Sequence, residues 1–307
     1  MKYPEDYVNK IIQGDCLEIL KTIPDESIDC VITSPPYWGL RNYGVKGQFG
    51  LEKTPEEYVA KLVEVFREVK RVLKKEGVMF LNLGDTYTGN KTGNTETIKN
   101  PNCSILDKEI KRKNYYQAKQ EIGIPFLVRQ ALMEDSWICR QTIIWAKPNP
   151  MPESVTDRCT KSHEYIFLLS KSQKYYFNSG AIKEKCVQGD NRVRDRDISK
   201  LNNTPGKTKS GGLKINNYEF RNKRSVWTVA TKPFKDAHFA TFPEELIKPM
   251  VLAGCPEGGI ILDPFFGAGT TGVVCKKENK NYIGIELNPD YCKIAEERIK
   301  NIPERLF

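Results

Sequence analysis

Apolar residues along the chain follow two patterns. Short apolar runs, each closed by glycine, proline or a polar residue, predict β-strands. They cover residues 10–13, 28–33, 78–83, 137–146, 164–170, 260–262 and 282–285, with a further extended piece at 175–177. Longer segments with apolar residues at helical spacing predict α-helices at 16–23, 55–76, 125–134 and 243–253, and from residues 270 and 289 onward. Alternating strands and helices indicate an α/β fold with a doubly wound, mostly parallel sheet.

The helix predicted from residue 55 has the clearest start signal. Thr54 is placed as its N-cap, Pro55 occupies the first helical position, and Glu57 can close a capping box. Apolar residues then recur at helical spacing up to Leu73, and Gly77 is predicted to end the helix.

The formal net charge of +9 is concentrated in two polar segments that interrupt this pattern. Residues 89–120 contain seven basic and three acidic residues, and residues 181–225 contain twelve and five. The rest of the chain is close to neutral. Solvated loops would explain one such segment, but two basic segments on a neutral core favour a cleft that binds a polyanion.

Cysteine and histidine content bears on metals and disulfides. The nine cysteines form no C-x-x-C pair, and the chain has only two histidines. We therefore expect neither a disulfide framework nor a bound metal. No apolar run is long enough to span a bilayer, and the first residues lack the apolar stretch of a signal peptide. A cytoplasmic protein without a membrane partner is expected.

A glycine-rich segment, ILDPFFGAGTTGVV (261–274), follows the strand pattern near the end of the chain. Gly267, Gly269 and Gly272 satisfy G-x-G-x-x-G, and Glu286 ends the next predicted strand. Glycines let the backbone approach a nucleoside-type cofactor, helix N–H groups meet its negative part, and the acid binds the ribose hydroxyls. A tight strand-to-helix turn without a ligand is the simpler alternative, but strand, turn, helix and acid in register favour a cofactor site.

The glycine pattern alone leaves two cofactors open, a nicotinamide dinucleotide and S-adenosylmethionine. Asp263 and Phe265 stand just before the glycines, where a dinucleotide site usually has small residues. Only one βα unit follows the turn, which leaves little chain for a second nucleotide half. Both features favour S-adenosylmethionine.

The strand at 28–33 ends in the pentapeptide SPPYW (34–38), which places two large aromatic residues on a loop expected to face water. Prolines fix φ and push the preceding residues into extended conformations. A proline-terminated strand with surface aromatics would explain this pentapeptide alone.

Together, the motifs of the chain resemble the β-class amino-methyltransferases of DNA, which methylate cytosine N4 or adenine N6. The resemblance rests on Gly14-Asp15, TSPPYW (33–38), a basic insert, DPFFGAG (263–269) and Glu286, in that order. Three further segments look like motifs of the family: IIWAKPNPMP (143–152), HEYIFLLSKSQKYYF (163–177) and HFATFPEELI (238–247). The catalytic loop of this class precedes the cofactor loop. The resemblance, which covers nearly all of the chain, therefore implies a circularly permuted class I methyltransferase fold, which is Rossmann-like.

The resemblance implies a role for each matching residue of the cofactor site. Glu286 would bind the ribose of S-adenosylmethionine, and Asp15 would bind the adenine amino group. The other implied cofactor residues are Asp263, Phe265, Gly267, Gly269 and Thr270 in the glycine-rich motif, and Phe239, Thr241 and Phe242 before it.

The catalytic residues that the resemblance implies are Ser34, Pro35, Pro36 and Tyr37. The Ser34 hydroxyl and the Pro35 carbonyl would accept the N–H groups of the target amine. Tyr37 would stack on a base flipped out of duplex DNA. The Pro-Cys nucleophile of the carbon-5 cytosine enzymes is absent from the sequence, so direct methyl transfer is expected.

The resemblance also divides the domain. Residues 1–180 would form its catalytic part, with the insert 89–120, and residues 226–307 its cofactor-binding part. Residues 181–225 would be the target-recognition region on double-stranded DNA, with Arg192, Arg194, Arg221 and Arg224 as the predicted contacts. A cognate restriction endonuclease would be the genetic partner of such an enzyme, and the sequence leaves the oligomeric state open.

The first residue of the catalytic loop suggests the target base. Serine is more typical of the N4-cytosine members of the class, so Ser34 favours cytosine N4, with adenine N6 as the alternative. Three further alternatives are a nicotinamide-dependent oxidoreductase, a non-catalytic DNA-binding protein of the same fold, and an RNA methyltransferase.

Overall fold

A computed structural model describes residues 2–88, 116–186, 219–232 and 242–303. The strands in these ranges are β1 (Lys10–Gln13), β2 (Ile28–Thr33), β3 (Leu73–Leu83), β4 (Ile138–Ala146), β5 (His163–Ser170), β6 (Glu184–Lys185), β7 (Phe220–Arg221), β8 (Val226–Thr228), β9 (Ile260–Asp263) and β10 (Asn281–Glu286). The α-helices are α1 (Cys16–Leu20), α2 (Pro55–Val72), α3 (Ile124–Glu134), α4 (Glu244–Gly254), α5 (Thr270–Lys277) and α6 (Pro289–Lys300). A short 3-10 helix covers Ser179–Ile182.

Eight strands form one sheet in the order β1-β10-β9-β2-β3-β5-β4-β8. Neighbouring strands pair in parallel, except that β5 is antiparallel to both β3 and β4. The predicted α/β fold with a doubly wound, mostly parallel sheet is therefore confirmed. Among the described residues, no helix has the length and apolar character needed to cross a membrane.

The sheet is buried on both faces, as expected when helices cover each side. Successive residues of β2 point to opposite faces, so Val31 joins one hydrophobic cluster while Cys30 and Ile32 join the other. Helices α1, α2 and α3 supply the first cluster, and α4, α5 and α6 supply the second. The catalytic and cofactor loops thus lie on a sheet that is held from both sides.

The N-terminus of α2 confirms Thr54 as the N-cap and Pro55 at the first helical position. Glu57, however, reaches the Lys53 amide rather than the Thr54 amide of a capping box, and the end of the helix also differs. Thr54 accepts a hydrogen bond from the Glu57 amide at 3.2 Å, and the Glu57 carboxylate accepts one from the Lys53 amide. The helix ends at Val72 rather than continuing to Gly77. Leu73 takes an extended conformation and pairs with Ile28 at the start of β2, because the sheet buries its side chain completely.

Several short elements differ from the pattern-based prediction. Helix α1 ends at Leu20, three residues earlier than predicted, and residues 175–177 belong to no strand. Strands β6, β7 and β8 were not predicted, because they are two or three residues long and carry no clear apolar periodicity. The pairing of β6 with β7 closes the base of the basic segment 181–225. Residues 89–115 of the other insert lie outside the described residues.

Candidate active site

The chemistry-bearing residues meet at one edge of the sheet, where the parallel strands have their carboxyl ends. There β1 leads to Asp15, β10 ends at Glu286, β9 at Asp263 and β2 at Thr33. Antiparallel β5 contributes its first residues to the same edge, and Glu164 pairs there with Trp145 of β4. Residues far apart in the sequence are therefore neighbours at this edge.

The glycine-rich turn between β9 and α5 is built around two left-handed residues. Gly267 and Gly269 have φ angles of 52° and 76°, a region that residues with a Cβ rarely adopt. A Cβ on Gly269 would also lie 2.6 Å from the Cβ of Ala295, so this glycine permits α5 to pack closely against α6. Thr270 begins α5, and its hydroxyl accepts a hydrogen bond from Arg298 at 3.2 Å.

Glu286 holds this turn in place through both of its carboxylate oxygens. Oε2 accepts a hydrogen bond from the Gly267 amide at 2.7 Å, and Oε1 accepts one from the Asn288 amide at 2.7 Å. Burial raises the pKa of the Glu286 carboxyl. Each carboxylate oxygen has a second lone pair, so Glu286 can also accept hydrogen bonds from the hydroxyls of a ribose.

Asp15 stands beside Glu286 at the carboxyl end of the neighbouring strand. It is the N-cap of α1, and its Oδ1 accepts hydrogen bonds from the amides of Leu17 and Glu18. The amide of Gly14 donates to the backbone carbonyl of Glu286 at 2.9 Å, which fixes the two acidic residues on adjacent strand ends.

An aromatic wall borders the glycine-rich turn, and three of its four residues were not predicted as part of the site. The ring of Phe265 meets Phe49 edge to face, with centroids 5.3 Å apart, and Tyr43 meets Tyr291 at 6.2 Å. Tyr43 and Phe49 lie on the loop between SPPYW and α2. That loop has no regular periodicity, so only the fold brings it to the cofactor side.

The other predicted cofactor residues fall into two groups. Phe242 is described and packs against the second hydrophobic cluster, just before the start of α4. Phe239 and Thr241 lie outside the described residues, so their role remains a prediction.

Asp263 is buried at the centre of the site, with 1 % of its surface exposed. Its Oδ1 accepts hydrogen bonds from the Thr33 hydroxyl at 2.7 Å and the Phe265 amide at 3.1 Å. Its Oδ2 accepts one from the Thr271 hydroxyl at 2.7 Å. Burial raises the pKa of the Asp263 carboxyl to about 6. Asp263 therefore links the start of the SPPYW loop to the glycine-rich turn and holds the two in place. It is too deeply buried to line the surface of a cofactor pocket.

The SPPYW loop is fixed to α2 and to the loop that precedes it. The Tyr58 hydroxyl donates a hydrogen bond to the Pro36 carbonyl at 2.9 Å. The expectation that both aromatic residues face water is wrong for Trp38, which is 2 % exposed. Its indole N–H donates to the Glu52 carbonyl at 2.9 Å, so Trp38 anchors the loop in the core.

Tyr37 is half-buried and lies across the end of β3. A Cβ on Gly84 would come within 2.5 Å of the Tyr37 ring, so only glycine leaves room for the ring there. The Tyr37 hydroxyl donates a hydrogen bond to Glu164 Oε2 at 2.6 Å. The Ser34 hydroxyl in turn donates to the Tyr37 oxygen at 3.3 Å. Burial and the neighbouring Glu164 carboxylate raise the pKa of Tyr37 well above its usual value, so this hydroxyl keeps its proton.

Three residues beside Tyr37 were not predicted as part of the site. Asn82 donates hydrogen bonds to the Tyr37 hydroxyl at 2.7 Å and to Glu164 Oε2 at 2.9 Å. Lys147 forms an ion pair with the other oxygen of Glu164, and both side chains are largely buried. The sequence offered one signal, the HEYIF segment, but nothing in it connects Glu164 to a tyrosine 127 positions earlier.

The predicted DNA contacts are only partly described. Arg221 and Arg224 both donate to Glu184 Oε1, at 2.9 and 2.8 Å. The Arg221 side chain is 18 % exposed and braces the β6–β7 ladder, whereas Arg224 is 62 % exposed. Arg192 and Arg194 lie outside the described residues. Within the described ranges, no cluster of three acidic, cysteine or histidine residues could hold a metal ion.

Comparison with known proteins places this site in a family. The family model N6_N4_Mtase, described as DNA methylase, matches residues 28–297. The chain belongs to this DNA methylase family. The resemblance to β-class amino-methyltransferases is thereby confirmed, and the nicotinamide oxidoreductase left open by the glycine pattern is excluded.

Curated relatives within the DNA methylase family span most of the chain. The type II methyltransferase M.Cfr9I of Citrobacter freundii is 45 % identical over 291 residues, which cover 94 % of this chain and 87 % of the relative. The type II methyltransferase M.SmaI of Serratia marcescens is 43 % identical over 291 residues, which cover 94 % and 90 %.

Solved structures share the fold at low sequence identity. The cytosine-N4-specific PvuII DNA methyltransferase matches with a TM-score of 0.65 and 18 % identity, over 96 % of this chain and 88 % of that one. The protein TTHA0409 of Thermus thermophilus, solved in complex with S-adenosyl-L-methionine, matches with a TM-score of 0.58 and 21 % identity, over 94 % and 92 %.

Proposed function

We propose that this DNA methylase transfers a methyl group from S-adenosylmethionine to the exocyclic N4 of a cytosine flipped out of duplex DNA. The observation that carries the proposal is the position of Ser34. It stands at the carboxyl end of β2, one residue after Thr33, whose hydroxyl is bonded to the aspartate that precedes the glycine-rich turn. Ser34, the proposed acceptor of the target amine, is therefore held at a fixed position relative to the glycine-rich turn, the proposed cofactor site.

The residues around the glycine-rich turn fit S-adenosylmethionine. A Cβ on Gly267 would meet nothing within 4 Å, so the turn is open on the side where a ligand would approach. Glu286 and Asp15 present carboxylates for the ribose and the adenine amino group, and Phe265 offers an apolar wall. The cofactor supplies an electrophilic methyl group on a sulfonium, which is the chemistry that an amine acceptor requires.

The SPPYW loop would receive the target base. An exocyclic amine is a poor nucleophile because its lone pair is delocalised into the ring. Hydrogen bonds from its N–H groups to the Ser34 hydroxyl and the Pro35 carbonyl would turn the lone pair towards the methyl group. Tyr37 would stack on the base, an interaction worth about 1–3 kcal/mol per base. Transfer would be direct: the amine nitrogen would bond to the methyl carbon as the bond from that carbon to the sulfonium sulfur breaks. The neutral thioether would leave, and the extra proton of the amine would pass to water.

Duplex DNA is the proposed partner, and the relatives suggest the biological setting. The two basic segments at 89–120 and 181–225 provide charge for phosphate contacts, with 181–225 as the target-recognition region. Relatives at 43–45 % identity are type II methyltransferases, which supports a modification enzyme that protects DNA from a cognate restriction endonuclease.

Two observations favour cytosine over adenine. The catalytic loop begins with Ser34, and the cytosine-N4-specific PvuII enzyme shares the fold. Adenine N6 is the alternative, since adenine also presents an amino group beside a ring nitrogen.

Nucleoside analysis tests this choice. DNA from cells that express the protein is digested to nucleosides and examined by mass and retention, with cells that express Ser34→Ala as the control. We expect N4-methylcytosine from the wild type and little from the variant. N6-methyladenine as the main product would contradict the cytosine assignment and leave the DNA methylase assignment intact.

A further inference from the structure

The hydrogen bonds around Tyr37 have a defined direction. A carboxylate only accepts hydrogen bonds, so the Tyr37 hydroxyl must donate its proton to Glu164 Oε2, 2.6 Å away. The oxygen of Tyr37 is then an acceptor for Asn82 at 2.7 Å and for the Ser34 hydroxyl at 3.3 Å. The chain of donors therefore runs from Ser34 through Tyr37 to Glu164.

Asn82 supports this direction from the side. Its amide nitrogen faces three acceptor oxygens: Tyr37 at 2.7 Å, Glu164 Oε2 at 2.9 Å and the Ser34 hydroxyl at 3.3 Å. The opposite orientation of the amide would set its oxygen against the Glu164 carboxylate, so the hydrogen-bond network selects the N–H orientation. Lys147 donates to the other oxygen of Glu164, so donors converge on both oxygens of this carboxylate.

Serine needs such a constraint to recognise an amine. A hydroxyl can donate or accept a hydrogen bond, whereas an exocyclic amino group offers hydrogens to its neighbours. If the Ser34 proton points at Tyr37, the oxygen of Ser34 can only accept. The Asn82 amide lies 3.3 Å from that oxygen as one donor, and the second lone pair is left for the N–H group of a base. If that proton pointed towards the base instead, Ser34 would suit a carbonyl oxygen.

We propose that Glu164 is a positioning residue that sets the hydrogen-bond direction of Ser34 through Tyr37 and thereby selects an amino group over a carbonyl on the target base. The inference rests on the proposed role of Ser34 as the base acceptor. It applies to a cytosine, which it distinguishes from uracil, and equally to an adenine, which it distinguishes from hypoxanthine.

Glu164→Gln tests the hydrogen-bond direction from Ser34 through Tyr37, because glutamine has nearly the same shape as glutamate but carries a donor. The Gln amide can donate to the Tyr37 oxygen, which frees the Tyr37 proton to point at Ser34 and the Ser34 proton to point at the base. Loss of packing alone would weaken the binding of both bases to a similar extent. The affinity ratio between the two bases therefore separates a directional role from a merely structural one.

The experiment measures the affinity of the protein for duplexes with cytosine or uracil at the target position, after that position has been mapped by sequencing methylated DNA. Uracil opposite guanine flips more easily, but this affects every protein variant alike, so the ratios are compared between variants. If the mapped base is adenine, the pair is adenine and hypoxanthine. Glu278→Gln is the matched control, because Glu278 is also paired with a lysine and is 14 % exposed, against 15 % for Glu164.

We expect the preference for the amino base to fall about tenfold in Glu164→Gln and to stay at the wild-type value in Glu278→Gln. Glu164→Ala removes the acceptor without adding a donor and should also lower the preference, so it replaces Glu164→Gln if that variant fails to fold. S-adenosylmethionine affinity reports on folding in each case.

An unchanged preference in a folded Glu164 variant would overturn the proposal. Failure of the proposed function gives a different result. In that case the wild-type protein would make no methylated base, or Ser34→Ala would methylate DNA at the wild-type rate, whatever the Glu164 variants do.

Discussion

The Thr33 hydroxyl donates a hydrogen bond to Asp263 Oδ1 at 2.7 Å, across 230 positions of sequence. Thr33 is the last residue of β2, directly before Ser34, and Asp263 is the last residue of β9, before the glycine-rich turn. The two strands are neighbours in the sheet. One buried carboxylate therefore fixes the base loop relative to the cofactor loop, and the site is positioned as a unit.

The first prediction is a pH dependence of stability that comes from Asp263. Burial raises the pKa of its carboxyl from 3.8 to about 6. Between these values the unfolded chain loses the proton and the folded chain keeps it, so the free energy of unfolding falls as the pH rises. The two-unit shift corresponds to about 3 kcal/mol.

Urea unfolding of the wild type and Asp263→Asn between about pH 4 and about pH 7 measures this contribution, since Asn does not titrate there. We expect the difference in unfolding free energy, wild type minus variant, to fall over this interval. If the unfolding free energies of the two proteins changed in parallel with pH, ionisation of Asp263 would not destabilise the folded protein and the prediction would be wrong.

Most of the sheet could be predicted from the sequence because its strands are short apolar runs between clear turn signals. The start of α2 could also be predicted from the sequence, because Thr54 and Pro55 act through local backbone geometry. The end of α2 was not, because the pairing of Leu73 with Ile28 is a tertiary contact that overrides the helical spacing of apolar residues.

The candidate site was predictable only where it follows a strand end in a parallel sheet. That rule locates Ser34, Asp263 and Glu286. It misses Glu164, because β5 runs antiparallel and brings its first residues, rather than its last, to the same edge. It also gives no means of telling that Trp38 turns inward while Tyr37 remains at the site.

The second prediction concerns cofactor binding. Glu286 accepts hydrogen bonds from the Gly267 and Asn288 amides, so Glu286→Ala removes both a ribose acceptor and the support of the glycine-rich turn. We expect S-adenosylmethionine affinity, measured by calorimetry, to fall on the order of 10- to 100-fold. Gln13→Ala is the control, since Gln13 pairs with Glu286 in the sheet but has an exposed side chain. Equal affinities for the two variants would contradict the assignment.

The third prediction concerns DNA. Arg224→Gln should make the plot of log affinity against log salt less steep by about 0.9, the effect of one lost phosphate contact. Arg67→Gln is the matched control, because both arginines are 62 % exposed and ion-paired with a carboxylate. Arg192 and Arg194 are predicted to act as Arg224 does. If Arg224→Gln left the slope unchanged, Arg224 would make no phosphate contact and the prediction would be wrong. Arg221 should affect stability as well, since it is largely buried.

The fourth prediction tests the central claim that Ser34 accepts the target amine of a methylation reaction. The measurement is single-turnover transfer of labelled methyl from S-adenosylmethionine to unmethylated DNA, on protein whose cofactor affinity has been determined. Ser34→Ala should bind the cofactor as the wild type does but transfer the methyl about 10²- to 10⁴-fold more slowly. Ser27→Ala should transfer at the wild-type rate, because the Ser27 hydroxyl donates to the Pro24 carbonyl just before the start of β2, at the end of the strand opposite the site. Transfer by Ser34→Ala at the wild-type rate, or none by the wild type, would contradict the account.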